Sequence, residues 1–296
     1  MRAAWRDLRA SPLAFSGALV VTIVVITAVL APSLSPADPL RQDLRARLRP
    51  PAWAPGGQAR HPLGTDHLGR DMLSRIIHGT RSTLLVATAA VGVAGVIGTT
   101  VGLVGSFYGR WLDDVLGRLM DVQLAIPYML LAIVVVMVLG PGLMNTIAVL
   151  VIGGWVVYAR VARAEGFTQR SREYVIAAQA VGQRDVMILR RHILPNTINP
   201  LIIVATIELA NMMLFESGLS FLGLGVQSPA ISWGSMLSDG RDYLTSAWWV
   251  ATFPGLAIAL TIYGINQVGD WIRDVLDPRT KGLASLSRRF SLPETG

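Results

Sequence analysis

Four windows of the chain carry no Asp, Glu, Lys or Arg: residues 10–37, 82–109, 122–159 and 243–269. A helix that crosses about 30 Å of hydrocarbon needs about 20 apolar residues. Every window is long enough, and core helices of water-soluble proteins rarely run so far without a charge. The pattern predicts an all-α polytopic membrane protein with six transmembrane helices. The first covers 13–31 and the second 82–105, where Gly98, Gly102 and Gly105 recur at near-helical spacing and mark one close-packed face. Residues 122–159 are too long for one span. Gly140-Pro141-Gly142 breaks them into a hairpin, with a third span over 116–139 and a fourth over 143–160. The fifth span covers 197–215 and ends after Glu216-Ser217-Gly218. Residues 219–247 then form a loop with room to dip into the membrane, and the sixth span covers 248–269.

These boundaries divide the chain into a tail and first helix (1–31), a Pro- and Arg-rich segment read as largely loop (32–81), a five-helix core (82–270) and a tail (271–296). The core holds a polar segment at 160–196. The apolar run at 13–31 exceeds a signal-peptide h-region, and Pro32-Ser33-Leu34-Ser35 lacks a small-residue cleavage pattern, so the run is read as a retained helix. Residues 291–296 end in Leu-Pro-Glu-Thr-Gly, which resembles a sortase recognition tag. They are read as an appended tag outside the functional reading. An even number of spans places both termini on one side. Seventeen Lys and Arg fall in the N-terminal tail, 106–121, 160–196 and the C-terminal tail, against nine in 32–81 and 219–247. The positive-inside bias makes both termini cytoplasmic and 32–81 extracytoplasmic. Trp111, Trp248, Trp249 and Trp271 sit near span ends, as interfacial aromatics do.

Composition narrows the function classes. Only 15% of residues are charged, against about 25% in ordinary globular chains. The net charge of +7 would suggest nucleic acid in a soluble protein. Here the arginines sit in loops and at span ends, so no nucleic-acid partner is expected. The absence of cysteine excludes thiol catalysis and Cys-held metal centres. His61, His67, His78 and His192 are read as loop residues whose spacing matches no ligand motif, so surface or packing roles are expected and no metal site. Neither H-E-x-x-H nor G-x-S-x-G occurs, which leaves no catalytic constellation. The lone lysine, Lys281, follows no glycine-rich loop. No cofactor is therefore expected in this chain, and ATP as a fuel would require another subunit. Ion coupling would need an ionisable group in the membrane, and Glu208 and Glu216 are the candidates. Glu208 thus keeps open an ion-coupled secondary transporter beside a structural role. Asn199, Glu208 and Asn211, the polar residues of the fifth span, are the candidate substrate-path residues.

The most informative stretch is Glu173–Asn196, between the fourth and fifth spans. Residues 171–181 favour a helix with Ala177, Ala178 and Val181 on one face. Gly182 permits a sharp turn, and 184–192 form a second short helix that ends before Pro195. Small alanines on an exposed helix offer a shallow surface for another protein.

This helix–glycine–helix pattern resembles the cytoplasmic loop of importer permeases in the ATP-binding-cassette superfamily, whose pattern is E-A-A, three residues, Gly, nine residues, I-x-L-P. Ala177, Ala178, Gly182, Leu194 and Pro195 fall in register, while Ile176 and His192 depart from it. Leu63-Gly-Thr-Asp-His-Leu-Gly-Arg-Asp-Met-Leu-Ser-Arg75 resembles the segment before the second span in the dipeptide, oligopeptide and nickel branch. Leu219–Gly225, Trp233–Leu237, Phe253-Pro-Gly255 and Gly269–Pro278 resemble that branch's second permease type. The resemblance covers about 60–279. It implies a multi-pass subunit of a bacterial cytoplasmic membrane importer, working with a second homologous permease chain, two ATPase subunits that hold ATP and Mg, and an extracytoplasmic substrate-binding protein. It also implies an ATPase-coupling role for Tyr174, Ala177, Ala178, Gly182, Leu194 and Pro195.

Overall fold

A computed structural model describes residues 11–276. The calls on both tails, including the tag at 291–296, lie outside the described residues. The described chain is helical: α1 Pro12–Val29, a single turn α2 Ala31–Leu34, α3 Met72–Tyr108, α4 Arg110–Ala125, α5 Tyr128–Leu139, α6 Leu143–Arg170, α7 Glu173–Ala180, α8 Asp185–Ile188, α9 Leu194–Phe221, α10 Trp233–Gly240 and α11 Trp249–Leu276. Five helices are long and apolar enough to cross a membrane, and the α4–α5 pair makes a sixth span if it is taken as one.

The pairing of α3 with α6 organises the bundle. A Cβ at Gly98 would lie 2.7 Å from the Tyr158 Cβ and 2.9 Å from the Ala159 nitrogen. At Gly102 it would lie 2.9 Å from the Ala162 Cβ, and at Gly166 2.9 Å from the Ser106 Cβ. The two backbones touch because nothing projects between them, which is how helices associate in lipid. Of the expected close-packed face, Gly98 and Gly102 meet α6, while Gly105 is turned toward Leu116 and Asp113 of α4. On the other side of the bundle α1 rests on α11 through Gly17 and Gly264.

Several element bounds differ from the sequence reading, each for a local reason. The second span begins at Met72 rather than 82, because Asp71 caps it: its Oδ2 accepts from the Ser74 backbone N–H at 2.8 Å and from the Ser74 hydroxyl at 2.6 Å. Residues 72–81, read as loop, are thus helix. The 106–121 loop is helix too, turned at Gly109 and Arg110, whose φ values are +61° and +55°. The third span is two helices bent by 92°. Pro127 disfavours the helical conformation at the preceding residue, and Ile126 is extended. The fifth span does not stop at Gly218 but continues to Phe221. The sixth runs to Leu276, which places Asp270 and Trp271 within the helix.

Residues 30–71 fold as a cap on the Met72 end of α3. Its centre is Asp66, which is fully buried. One carboxylate oxygen accepts from the Leu68 and Arg70 backbone N–H groups at 2.8 and 2.9 Å. The other accepts from Arg70 Nε at 2.6 Å and from Arg75 of α3. Both guanidiniums also reach Asp239 of α10 at 3.1 Å, so one carboxylate ties cap, span and α10 together. The Trp249 indole donates to the Thr65 carbonyl at 3.0 Å and completes the junction with α11. α10 itself presses on α9 and α11 through glycine: a Cβ at Gly234 would lie 2.6 Å from the Ser217 Cα, and at Gly240 2.7 Å from the Ala251 nitrogen.

Burial alone would push the Asp66 carboxyl up. Arg75, Arg70 and the Arg70 backbone N–H outweigh that and hold it below the usual carboxylate range. A depressed folded value contributes stability above the unfolded pKa of about 3.9. That stability is lost as pH falls through the lower folded value. The cap should therefore stay closed at pH 5 and loosen only in acid below about pH 4. Asp66→Ala strands two buried guanidiniums and should cost about 3–5 kcal/mol. Asp239→Ala, whose side chain is 32% exposed, should cost far less. Thermal unfolding of the detergent-solubilised variants across pH measures both.

Candidate coupling segment and intramembrane polar residues

The segment between α6 and α9 sits at the Tyr108 end of α3, about 55 Å of helix away from the cap. Val175, Ile188 and Ile193 are buried together against Leu103 and Phe107 of α3 and Ala162 of α6, with Ala178, Leu189, Leu194 and Leu201 packed around them. These anchors fix α7 to three spanning helices. The opposite face is open: Tyr174, Ile176, Ala177 and Val186 are exposed, and Val181 is 86% exposed. Ala177 and Val181 share that outer face as expected. Ala178 instead turns inward, one helical turn from Val175.

The end of α7 is a Schellman turn. The Gln183 N–H donates to the Ala178 carbonyl at 3.0 Å and the Gly182 N–H to the Gln179 carbonyl at 2.9 Å. Gly182 has φ +78°. A Cβ there would meet nothing within 4 Å, so the demand for glycine is conformational and not one of space. Side chains brace the rest. The Tyr174 hydroxyl donates to Gln169 Oε1 at 2.5 Å and accepts from Asn196 Nδ2 at 3.3 Å, which joins α6, α7 and α9. His192 Nε2 donates to Gln183 Oε1 at 2.9 Å. The second short helix does not end before Pro195. α8 passes through a widened turn at Leu189–Ile193 straight into α9, with the Leu194 N–H bonded to the Leu189 carbonyl five residues back. Pro195 has no N–H and its ring crowds the carbonyl four residues earlier, and the widened turn lies directly before it. Pro195 is exposed and Leu194 half-buried.

The three polar residues of α9 do not form one group. Asn199 is exposed and lies about 13 Å along the helix from Glu208. Glu208 is 7% exposed, and its Oε1 accepts from Asn211 Nδ2 at 3.0 Å. Two further residues belong here that the sequence did not single out. The ring of Tyr128, the first residue of α5, lies against Gly153 and stacks on Phe215 at 4.0 Å between centroids. Tyr158 of α6 is 2% exposed, its ring 3.5 Å from where a Gly95 Cβ would stand. Both hydroxyls are buried without a hydrogen-bond partner among the described residues. A glycine on a facing helix opposite each ring was the available sequence signal, and it is legible only once the pairing is known. Glu216 differs. It is fully buried, and its carboxyl is met by Ser220 at 2.7 Å, Ser217 at 3.4 Å and Ser232, the N-cap of α10. It stitches α9 to α10.

The histidines are not all in loops: His78 lies in α3 and His192 in the widened turn. His61 Nδ1 is 3.0 Å from Asp71, His67 stacks on Tyr243, and His78 donates to the Ser74 carbonyl. Asp66, His67 and Asp239 approach within 4.8 Å of one another. Arg70 and Arg75 already occupy the place a cation would take.

Comparison with known proteins supplies the context for this geometry. Residues 94–282 match the model of the binding-protein-dependent transport system inner membrane component, and residues 1–51 that of the N-terminal transmembrane domain of oligopeptide transport permease C. A di/tripeptide transport system permease of Pseudomonas aeruginosa is 42% identical over 280 residues, 95% of this chain and 92% of that protein. A dipeptide transport permease of Alkalihalophilus pseudofirmus is 39% identical over 280 residues, covering 95% and 90%. The fold is similar to a chain of the MetNI methionine ABC transporter in an inward-facing conformation, with TM-score 0.57 at 20% identity over 70% of this chain and 98% of that one.

Val175→Ala removes the buried anchor of α7 and should cost about 1–2 kcal/mol locally. Amide hydrogen exchange should then quicken about tenfold over 173–183. Exchange in the α3–α6 pair should stay unchanged.

Proposed function

Because the chain belongs to the family of binding-protein-dependent transport system inner membrane components, we propose that it is one of two permease chains of an ATP-driven importer of di- and oligopeptides. The relatives' peptide substrates support that class. A second homologous permease chain forms the other half of the path, and an extracytoplasmic binding protein delivers substrate. Two ATPase subunits bind ATP and Mg, and this chain is not catalytic. Both termini are cytoplasmic, which places the cap of residues 30–71 outside and α7 inside.

The observation that carries this reading is the open outer face of α7, held rigidly from behind by Val175, Ile188 and Ile193. An ATPase subunit grips Tyr174, Ala177 and the Gly182 turn. Leu194 and Pro195 carry the displacement into α9, and the packing on Leu103 and Phe107 carries it into α3. Rocking of one packed bundle against another gives alternating access without local unfolding. Glu208, Asn211 and Asn199 contribute to the substrate path. Family membership favours this reading over an ion-coupled transporter built on Glu208.

Proteoliposomes that contain this chain and its partner subunits should take up labelled dipeptide only with ATP on the ATPase side, and an ionophore should leave uptake intact. Uptake by this chain alone, abolished by the ionophore, would overturn the proposal. Gly182→Val places a β-branched residue in the left-handed region, at about 1–2 kcal/mol or more. It should reduce uptake at least about tenfold with normal membrane insertion. Gly182→Asn, which tolerates that conformation, should keep most of it.

A further inference from the structure

From Asp38 to Arg49 the cap carries a charge every two or three residues, and charges resume at Arg60. Between them lie ten residues without one, Pro50-Pro-Ala-Trp-Ala-Pro-Gly-Gly-Gln-Ala59. Hydrogen bonds close this stretch into a loop. The Arg49 carbonyl accepts from the Thr65 N–H at 3.0 Å, and the Pro62 carbonyl from the Ala52 N–H at 3.1 Å. The base of the loop stands at the start of α11, because the Trp249 indole donates to the Thr65 carbonyl. The tip lies deeper. The Trp53 ring meets Phe253 edge-on, with centroids 6.1 Å apart. Phe253 follows Trp249 by four residues, about 6 Å along a spanning helix. Trp248 packs on the same Phe253 ring at 5.7 Å. Two indoles thus flank one phenylalanine, yet Trp53 is still 65% exposed and Trp248 46%.

We infer that the loop 50–59 is a lipid anchor: it lays Trp53 into the headgroup region of the leaflet on the cap's side and fastens the cap to the bilayer surface. The exposed aromatic face belongs to lipid because it continues the outward stripe of α11. Leu256 and Leu260 follow Phe253 along that helix at 50% and 55% exposure. α1, packed on α11 through Gly17 and Gly264, exposes Leu19, Ile23 and Ile26 beside them. A water-soluble partner can meet the charged part of the cap, but it does not reach a ring set one turn inside a spanning helix. The residue types suit the place. Tryptophan has an apolar body and a polar N–H, which is why it collects where membrane meets water. Pro50, Pro51 and Pro55 have no backbone N–H to leave unsatisfied against lipid. The inference concerns the bilayer and not the solute, so it stands apart from the importer reading.

The chain has no cysteine, so a single nitroxide can report the depth of the loop. Ala52→Cys, exposed beside Trp53, is labelled in the full chain, assembled with cysteine-free partner subunits in vesicles of phosphatidylethanolamine and phosphatidylglycerol. Oxygen, which concentrates in lipid, and a nickel chelate, which stays in water, then compete to relax the label. The Ala52 label should fall between a water-facing Arg41→Cys and a lipid-facing Leu256→Cys. Trp53→Ser should shift it toward the Arg41 value with the Leu256 reading unchanged. Trp53→Tyr, which keeps an interfacial aromatic, should hold it in place. An Ala52 label that matches Arg41, or one that Trp53→Ser leaves where it was, would overturn the inference. So would a label open to nickel in vesicles and shielded only once the extracytoplasmic binding protein is added, which would make the loop a docking surface for that protein.

Discussion

The structure depends on one contact without side chains, the approach of α3 to α6 across Gly98, Gly102 and Gly166. In lipid the usual driving force for burying apolar surface is missing, since a helix leaves hydrocarbon to meet hydrocarbon. What remains is van der Waals contact, which grows as backbones come closer. Everything with a functional reading hangs from this pair. The cap is fastened at its Asp71 end, and α7 emerges from α6 at the other end and leans on Leu103 and Phe107. Tyr158 is aimed from its middle, where Gly95 leaves room for the ring. Three regions separated along the membrane normal are thereby held by one rigid frame.

The spans were legible because lipid imposes a length and forbids charge, and both are properties of the linear sequence. Their ends were harder to read. The second helix reaches back to Met72 through ten residues with His and Arg among them, and only the Asp71 cap marks its start. The break at Ile126-Pro127 sits inside an apolar run that reads as continuous, since a proline leaves hydropathy almost unchanged while it changes direction. Glu216 looked like a helix end because a carboxylate followed by Ser-Gly resembles one. Its serine partners, Ser220 and Ser232, cancel the cost that made an end seem necessary.

The same division separates the two candidate sites. Gly182 could be read from sequence because the turn it serves is local: Ala178, Gln179 and Gln183 supply its hydrogen bonds within six residues. The anchors Val175 and Ile188 look like any other apolar residues until Phe107 is placed beneath them. Glu208 stood out as a charge in a span, but that it is buried follows only from how α9 packs. Asn199 drew attention for polarity alone, and the helix carries it to an exposed position apart from the others.

The Pro127 break has a consequence for what holds this part of the bundle in place. α5 is 12 residues long, about 18 Å of helix, and too short by itself to cross about 30 Å of hydrocarbon. α4, ahead of it, carries Arg110, Asp113, Asp114, Arg118 and Asp121 and does not partition into lipid unaided. Gly140-Pro141-Gly142 joins α5 directly to α6, so the short, wholly apolar α5 is one arm of a hairpin whose other arm has the length to span. Arg163 of α6 then meets Asp113 of α4 at 2.5 and 2.7 Å, so the charges of the earlier segment are neutralised by the later one. The polar α4 is thus held by a helix that follows it by some fifty residues, so its place beside the bundle depends on a partner far along the chain.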